Sequence, residues 1–238
     1  MPRYDNVLVT GASRGLGAAL AHELLVRGHR VVMTARREAD LAQTAQRLRD
    51  QFCERVNFIA ADLSDPHAAQ HLISEAEQRF GPLDALINNA GTGTYKPLVE
   101  WSAEEVKACV NVNLLAPMLL TQAVLPGMLA RRRGYIVNVA SDLARRPLAN
   151  MAPYVASKFG LLGFSGSVLR EAKAQGVKVS AILPGIIDTA FNGAVQGSKE
   201  ETWALRPETL ASQIVALFEL PENVLVDELT IHPQHQDF

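Results

Sequence analysis

The sequence predicts an α/β protein in which seven parallel strands form one doubly wound sheet with helices on both faces. Short apolar runs alternate with longer helix-like segments, and this alternation is typical of βαβ units. The runs are continuously apolar, which indicates strands that are buried on both faces. A glycine-rich turn follows the first run and precedes the first helix-like segment, as in folds that bind dinucleotides.

Each element follows from hydrophobic periodicity. The predicted strands lie at residues 7–9, 31–33, 56–60, 86–87, 135–137, 177–183 and 224–226. The predicted helices lie at residues 15–27, 38–51, 66–79, 102–131, 154–174 and 207–219. Asp65 before Pro66 predicts a helix N-cap followed by proline at the first helical position. The least regular segment, 188–206, is either a loop over a site or a surface connection.

Length and composition favour one globular unit, so we predict that residues 1–238 form a single domain. The net charge of −2 argues against nucleic-acid binding, and the arginines at 131–133 are better explained as a solvated helix end. Cys53 and Cys109 lack the spacing of metal ligands, so neither a metal site nor a disulfide is expected. The first apolar run is too short for a signal peptide, and a cytoplasmic location is the expectation.

The segment 113–130 is largely apolar and approaches the length of a membrane span. It contains Asn113, Thr121 and two prolines, so a buried helix is favoured over a membrane helix. A helix that is apolar nearly all round is also suited to an interface between subunits.

The turn at residues 10–17 (TGASRGLG) is a candidate phosphate-binding loop. Its glycines, Gly11, Gly15 and Gly17, allow a tight turn and let a pyrophosphate approach the N-terminus of the next helix. The spacing is G-x-x-x-G-x-G and not the common G-x-G-x-x-G, and an ordinary glycine turn is the alternative.

The second predicted strand ends at Ala35, where folds that prefer NAD usually carry an acidic side chain. Here Arg36 and Arg37 follow, and Arg14 lies inside the glycine loop. Guanidinium groups suit the additional 2′-phosphate of NADP, so the pair Arg14 and Arg36 favours NADP(H). Surface solvation is the alternative for Arg36 and Arg37, and we expect it to apply to one of them.

Further motifs follow later strands in a fixed order. They are Asp62-Leu63, NNAG at 88–91, VNL at 112–114, IVNVAS at 136–141, YVASK at 154–158, and Pro184-Gly185 with Thr189. In this combination the sequence resembles the short-chain dehydrogenase/reductase family over residues 5–231. The resemblance implies a Rossmann-type fold, NADP(H) as cofactor, a small-molecule substrate, and a homodimer or homotetramer built through the two long helices.

The resemblance also implies a set of cofactor-binding residues. They are Gly11, Ser13, Arg14, Gly15, Leu16, Gly17, Arg36, Asp62, Leu63, Asn89, Ala90, Gly91, Tyr154, Lys158, Pro184, Gly185, Ile187 and Thr189. The resemblance places residues 89–91 near the riboses. It implies that Pro184, Gly185, Ile187 and Thr189 hold the nicotinamide and its carboxamide. Asp62 would bind the adenine amino group, with an N-cap or turn role as the competing interpretation.

Tyr154 and Lys158 are four residues apart in a predicted helix, which places them on one face, one turn apart. An ammonium near the phenol is expected to lower the pKa of the phenol and to make the pair usable in acid–base chemistry. Alone, the pair is more typical of an ordinary helix surface. The resemblance makes Tyr154 the general acid/base, and Ser141 the group that orients and polarises the carbonyl. It implies that Asn113 supports a water chain to Lys158. The plainer interpretation is that Asn113 bonds helix backbone.

The sequence also departs from the family's pattern. Asp142 and its neighbours follow Ser141, where a glycine often follows shortly after the serine. Arg145 or Arg146 would attract an anionic substrate, although solvation is the simpler interpretation. The ending at 228–233 lacks the Asp-Gly-Gly of many members, so it gives no guide to substrate or assembly.

These observations together predict an oxidoreductase that uses NADPH to interconvert a carbonyl and an alcohol on a small molecule. The intact set of Asn113, Ser141, Tyr154 and Lys158 supports this prediction. The alternative is a regulatory or sensor protein that binds NADPH without turnover, although such relatives usually lose part of the set.

Overall fold

The computed structural model describes residues 4–236, except for the side chain of Asn192. Residues 1–3 and 237–238, which the single-domain prediction includes, lie outside the described residues. Seven parallel strands form one sheet, as predicted. The strands are β1 (Asn6–Thr10), β2 (Arg30–Ala35), β3 (Val56–Ala60), β4 (Ala85–Asn88), β5 (Gly134–Val139), β6 (Val177–Pro184) and β7 (Glu228–Ile231).

The order of the strands across the sheet is β3-β2-β1-β4-β5-β6-β7. The chain therefore runs outwards from β1 to β3 and then returns to place β4 on the other side of β1. Val7 pairs with Val31 of β2 and with Ala85 of β4. This reversal leaves a crevice outside the carboxyl ends of β1 and β4, where open α/β sheets bind their ligands.

Helices cover both faces of the sheet, as predicted. They are α1 (Gly15–Val26), α2 (Glu38–Phe52), α3 (Ala68–Phe80), α4 (Ala103–Val110), α5 (Ala116–Ala130), α6 (Ala152–Ala172) and α7 (Pro207–Ala216). One core cluster joins β1 to α1, α2 and α7 through side chains such as Leu20 and Ile214. A second joins the opposite face to α3, α5 and α6 through Leu72, Leu120 and Val168.

The strand predicted at 224–226 is wrong, because β7 lies at Glu228–Ile231 instead. Leu225 and Val226 are apolar because they pack against the two core clusters outside any strand. The strand itself is at the edge of the sheet, and its residues alternate between exposed and half-buried. An edge strand with one solvated face carries alternating residues, whereas the prediction rests on the continuous apolar pattern of central strands.

The start of α3 also differs from the prediction. The helix begins at Ala68, whereas the sequence placed Asp65 at the N-cap and Pro66 at the first helical position. Asp65 instead closes a turn just before the helix, because its carboxylate accepts the backbone N–H of His67 at 2.9 Å. The Asp65 carboxylate therefore stabilises the turn before α3 and does not cap the helix.

The predicted helix 102–131 is divided by a π-helical turn at Asn111–Leu115, which separates α4 from α5. The whole stretch, Ala103–Ala130, is long and apolar enough to cross a membrane by length and composition alone. Leu120 and Met128 on one side are fully buried in the core. Met118 on the opposite side is exposed in the single chain, so the predicted burial holds for one side of this stretch.

Candidate active site

A cleft of about 1140 Å³ lies along the carboxyl ends of the parallel strands. Every predicted site residue lines this cleft except Asn113. The lining includes Gly11, Ser13, Arg14, Gly15, Leu16, Gly17, Arg36, Asp62, Leu63, Asn89, Ala90, Gly91, Ser141, Tyr154, Lys158, Pro184, Gly185, Ile187 and Thr189. Residues far apart in the sequence meet here because each follows the end of a strand, and parallel strands end on the same edge.

The glycine loop depends on the absence of side chains at specific positions. Gly11 and Gly15 have φ angles of 66° and 56°, in the left-handed region that favours glycine. A Cβ on Gly17 would overlap the carbonyl oxygen of Gly11. A Cβ on Gly15 would lie 3.2 Å from the methyl group of Thr189, on the opposite wall. The loop therefore brings its backbone against the rest of the cleft.

Thr10 and Asn89 fasten the glycine loop to the end of β4. The Thr10 hydroxyl accepts the backbone N–H groups of Asn89 at 3.0 Å and Ala90 at 2.9 Å. The Asn89 amide donates to the Thr10 carbonyl at 2.8 Å. This exchange satisfies buried backbone groups at the point where two neighbouring strands end.

The three arginines near the first two strands differ in their surroundings. Arg37 forms a 2.5 Å ion pair with Asp40 on the first turn of α2. All three arginines, Arg14, Arg36 and Arg37, are exposed and line the cleft. The positive charge of Arg36 interacts electrostatically with Asp62, which follows the end of β3. Arg37 therefore differs from Arg36 in its acidic partner, Asp40, and not in its position at the cleft.

Asp62 has the turn role that the sequence analysis gave as its competing interpretation. Its Oδ1 accepts the backbone N–H of Ser64 at 2.9 Å and the Ser64 hydroxyl at 2.8 Å. These hydrogen bonds lower the pKa of Asp62, and the bond from the Ser64 backbone has the largest effect. The charge of Arg36 lowers this pKa further. Asp62 also lines the cleft, so the turn holds a carboxylate at the wall.

Ser141 and Tyr154 approach each other from the end of β5 and from the first turns of α6. Tyr154 and Lys158 lie on the same helix, as predicted, with the Lys158 ammonium nitrogen 5.7 Å from the centroid of the Tyr154 ring. A side-chain hydrogen bond links Tyr154 to Ser141. The Lys158 Nζ donates to the carbonyl of Val139 at 2.8 Å, which fixes the amine under the strand end.

Burial dominates the ionisation of this pair. It raises the pKa of Tyr154 to about 12 and lowers the pKa of Lys158 to about 8. The net shift of the Tyr154 pKa is therefore upward in the protein chain alone, because burial outweighs the other effects on the phenol. The contribution of the Lys158 ammonium to this pKa stays a prediction.

Asn113 lies behind the cleft wall and is fully buried. Its Oδ1 accepts the N–H of Thr92 at 2.8 Å, and its amide donates to the Thr92 carbonyl at 2.7 Å and the Ser157 hydroxyl at 3.1 Å. The side chain thus ties the segment after β4 to α6. The bond to backbone that the sequence analysis considered is present, and it goes to a loop instead of a helix.

The sequence motifs did not identify the residues on the substrate side of the cleft. Segment 188–206 forms part of the lining, which favours the loop over a site among the two alternatives. Phe191 of this segment packs against Tyr154, with ring centroids 5.7 Å apart. A Cβ on Gly93 would lie 2.9 Å from the Tyr154 ring and 3.0 Å from Phe191. Periodicity carries no signal for such contacts, since they join separate loops.

The other side chains of this region have mixed roles. Arg145 pairs with Glu228 on β7, whereas Arg146 lines the cleft. Asp188 is buried and forms an ion pair with Arg206, just before α7. This pair anchors both ends of segment 188–206, so a single buried carboxylate positions the cover of the cleft.

The family model described as short chain dehydrogenase matches residues 5–200. The chain therefore belongs to the short chain dehydrogenase family of oxidoreductases. It is 33% identical to the 3-oxoacyl-(acyl-carrier-protein) reductase FabG of Vibrio cholerae, over 94% of this chain and 93% of that protein. It is 31% identical to an uncharacterized oxidoreductase of Staphylococcus saprophyticus, over 95% of this chain and 96% of that protein.

Solved structures show the same architecture. An alcohol dehydrogenase from the archaeon Thermococcus sibiricus, complexed with 5-hydroxy-NADP, matches with a TM-score of 0.92 and 29% identity over 98% of both chains. An actinorhodin polyketide ketoreductase with NADPH matches with a TM-score of 0.88 and 29% identity, over 99% of this chain and 98% of that chain. The predicted Rossmann-type fold and family are confirmed.

Proposed function

We propose that the chain is an NADPH-dependent oxidoreductase that interconverts a carbonyl and an alcohol group of a small molecule, with Tyr154 as general acid/base. The observation that carries the proposal is the meeting of Ser141, Tyr154 and Lys158 in one cleft at the carboxyl edge of the sheet. Structural neighbours with NADP-type ligands support the choice of cofactor. We propose that residues 1–238 act as one domain around this cleft.

The residues present fit a dinucleotide. Gly15 leaves space against Thr189 that a side chain would fill, and the first turn of α1 begins there. We propose that this turn receives the pyrophosphate, because helix N-termini offer free N–H groups to anions. When bound, the dinucleotide supplies the hydride and, in its oxidised form, a positive charge that favours the phenolate. Pro184 and Ile187 form the wall on which the nicotinamide would lie.

The protein's own part in the reaction is the transfer of one proton. With a pKa of about 12, Tyr154 holds its proton at neutral pH, which is the form that reduction requires. The phenol would donate this proton to the oxygen that becomes the alcohol, and would remove it in the reverse direction. Ser141 would orient the carbonyl oxygen, and Lys158 would hold the nicotinamide ribose. A water chain to Lys158 through Asn113 remains a prediction.

The test of this assignment is turnover of NADPH with a panel of ketones and aldehydes. Tyr154→Phe removes the proton donor, and we expect kcat to fall about 10²- to 10⁴-fold, the usual contribution of a general acid. Tyr95→Phe is the matched control, because Tyr95 is exposed and outside the cleft lining. Full turnover by Tyr154→Phe would refute the acid–base role. Tight NADPH binding with no turnover by the unmodified chain would favour the sensor alternative.

The preference for NADPH is a separate proposal and rests on Arg14 and Arg36 at the cleft. Arg36→Ala should weaken NADPH binding about tenfold or more and change NADH binding less than about threefold, because only NADPH carries the 2′-phosphate. Arg170→Ala provides the control, since Arg170 is an exposed arginine outside the cleft lining. Equal dissociation constants for the two cofactors, or an unchanged ratio in Arg36→Ala, would overturn the preference.

We also propose a cytoplasmic homodimer or homotetramer built through the two long helices. Met118 on α5 and Phe159 on α6 expose apolar side chains that such an interface would bury. Cys53 and Cys109 are both unpaired, which agrees with a reducing compartment. Sedimentation of the chain at several concentrations tests the assembly, and a monomer at all of them would refute it.

A further inference from the structure

The end of the described chain forms part of the cleft wall. We call residues 232–236 the C-terminal clamp. Its last residue, Gln236, lines the cleft and bonds in two directions. The side-chain Oε1 of Gln236 accepts the backbone N–H of Ile186 at 2.8 Å, and its Nε2 donates to Oδ2 of Asp142 at 2.8 Å. One side chain therefore joins the segment after β6 to the segment after β5.

Asp142 is buried and directly follows Ser141. Its Oδ1 accepts the backbone N–H of Leu143 at 2.8 Å and the Ser141 hydroxyl at 3.1 Å. His232 of the clamp lies 3.6 Å from Oδ2. Both oxygens of the carboxylate therefore have partners. Oδ1 accepts hydrogen bonds from Ser141 and Leu143, and Oδ2 contacts the clamp.

The clamp fits because Gly185 has no side chain. A Cβ there would overlap the side-chain Oε1 of Gln236 and lie 2.8 Å from the His232 ring. The Gly185 N–H donates to the Ile231 carbonyl at 2.8 Å, and the His235 N–H donates to Thr202 at 2.9 Å. The clamp therefore contacts the segments after β5 and β6 and the cover of the cleft.

We infer that Asp142 and Gln236 are positioning residues for the reaction, which hold the Ser141 side chain and the Ile186 backbone in a fixed relation across the cleft. A serine hydroxyl rotates freely unless its neighbours hold it. Here the Leu143 N–H donates to the Ser141 oxygen at 3.2 Å, and the hydroxyl donates to Asp142 until a substrate carbonyl takes its place as acceptor. The carboxylate is itself held by the side-chain amide of Gln236, whose nitrogen donates to it at 2.8 Å. This inference rests on the proposed function.

An exchange of the carboxylate and amide groups between positions 142 and 236 tests the hydrogen bond that joins them. Asp142→Asn replaces one carboxylate oxygen with an NH₂ group. In one orientation this group faces the N–H of Leu143, and in the other it faces the amide of Gln236, so a donor meets a donor in both. Gln236→Glu sets a carboxylate against a carboxylate. The double variant, Asp142→Asn with Gln236→Glu, restores a donor opposite an acceptor at the link and keeps the acceptor for Ile186.

We expect each single exchange to lower kcat about tenfold, and the double variant to return to within about threefold of the unmodified chain. A merely structural role would not produce this recovery, because two independent losses multiply. Gln234→Ala is the matched control, because Gln234 is exposed in the same clamp. Unchanged kcat in Gln236→Glu, or multiplied losses in the double variant, would overturn the inference.

The pH profile separates the charge of Asp142 from its hydrogen bonds. Burial is the main cause of the raised pKa of Tyr154, and the charges of Asp142 and Cys109 raise it further, with Lys158 also facing the ring. Asp142→Asn should therefore move the alkaline loss of reductase activity to lower pH. Gln236→Ala should lower kcat without moving this limb, because it leaves the carboxylate in place.

Failure of the clamp and failure of the proposed function give different results. If the unmodified chain turns over no substrate in the panel, the proposed function fails, and amide hydrogen exchange still tests the clamp. Gln236→Ala should speed exchange at the Ile186 amide about tenfold, because its acceptor is removed. Gln234→Ala should leave this rate unchanged. Equal protection of Ile186 in both variants would overturn the clamp irrespective of activity.

Discussion

The two halves of the cleft are built by different means. The cofactor half, formed by residues 10–17 and 88–91, is held by backbone groups and by glycines that touch other backbone. The substrate half, formed by Asp142, segment 188–206 and the C-terminal clamp, is held by side chains from distant parts of the chain. A backbone-built half tolerates few substitutions, whereas a side-chain-built half can change its shape without losing the fold.

The largest effect that this comparison predicts is for Gly17→Ala, in the cofactor half. The new Cβ would overlap the Gly11 carbonyl, which is fixed backbone and cannot move aside. We expect the free energy of unfolding to fall by about 3 kcal/mol and NADPH binding to be lost. Urea unfolding and cofactor titration measure the two quantities.

Gly163→Ala is the control for helical glycines. It lies on the exposed face of α6, and its Cβ would meet nothing within 4 Å. Alanine there should stabilise the helix by up to about 1 kcal/mol and leave cofactor binding as it is. If Gly17→Ala behaved like Gly163→Ala, the cofactor half would not be limited by backbone contacts.

A second effect in the same half concerns Thr10, whose hydroxyl accepts two backbone N–H groups at the end of β4. Thr10→Val keeps the shape and removes the acceptor, so the N–H groups of Asn89 and Ala90 lose their partner. The expected cost is about 2 kcal/mol of unfolding free energy, the range for unsatisfied buried donors. Thr10→Ser retains the hydroxyl and should cost less than about 1 kcal/mol. An equal loss in both variants would assign the effect to packing.

The substrate half should respond in the opposite way to the same kind of substitution. A Cβ on Gly93 would meet the rings of Tyr154 and Phe191, which are side chains and can shift. We expect Gly93→Ala to change the unfolding free energy by less than about 1 kcal/mol. We expect kcat to fall about tenfold because the phenol moves, with the NADPH dissociation constant within about threefold of the unmodified value.

Steady-state kinetics, cofactor titration and urea unfolding of one Gly93→Ala preparation measure these effects together. A large loss of stability with normal kcat would show that the ring contacts serve the fold and not the reaction.

The fold was predictable from the sequence because central parallel strands are apolar on both faces and alternate with helices. The edge strand β7 was not predictable in this way, since its residues alternate in burial and the neighbouring apolar run at 224–226 has the pattern of a central strand. The π-helical turn at Asn111–Leu115 also left no trace in the periodicity. Such features depend on what the segment packs against, and a single sequence does not state this.

The two halves of the cleft also differ in how far their residues were predictable from the sequence. The cofactor half was predictable because phosphate binding requires glycine at particular backbone positions, and this requirement is local. The ionisation of Tyr154 was not predictable, because spacing places Lys158 beside it but does not reveal how deeply both are buried. Gln236 was beyond prediction, since its role arises from contact with Asp142, 94 positions away.

The smallest effect separates the pH dependence of the fold from that of the cleft. His29 is buried at the start of β2, where its ring bonds the carbonyl of Tyr4 and packs against Phe218. Burial lowers the pKa of His29 below its usual 6.5. The stability that the neutral ring contributes is therefore present above about pH 6.5 and is lost as the pH falls below that value.

His29→Gln keeps a donor for Tyr4 and removes the titrating group. We expect its unfolding free energy at about pH 8 to lie within about 1.5 kcal/mol of the unmodified value, and to fall less steeply between about pH 7 and 5. His67→Gln, at an exposed histidine, should keep the unmodified slope. Because His29 lies at the opposite end of the strands from Tyr154, neither variant should move the pH profile of kcat. A shifted profile in His29→Gln would show that the cleft is not insulated from the amino edge of the sheet.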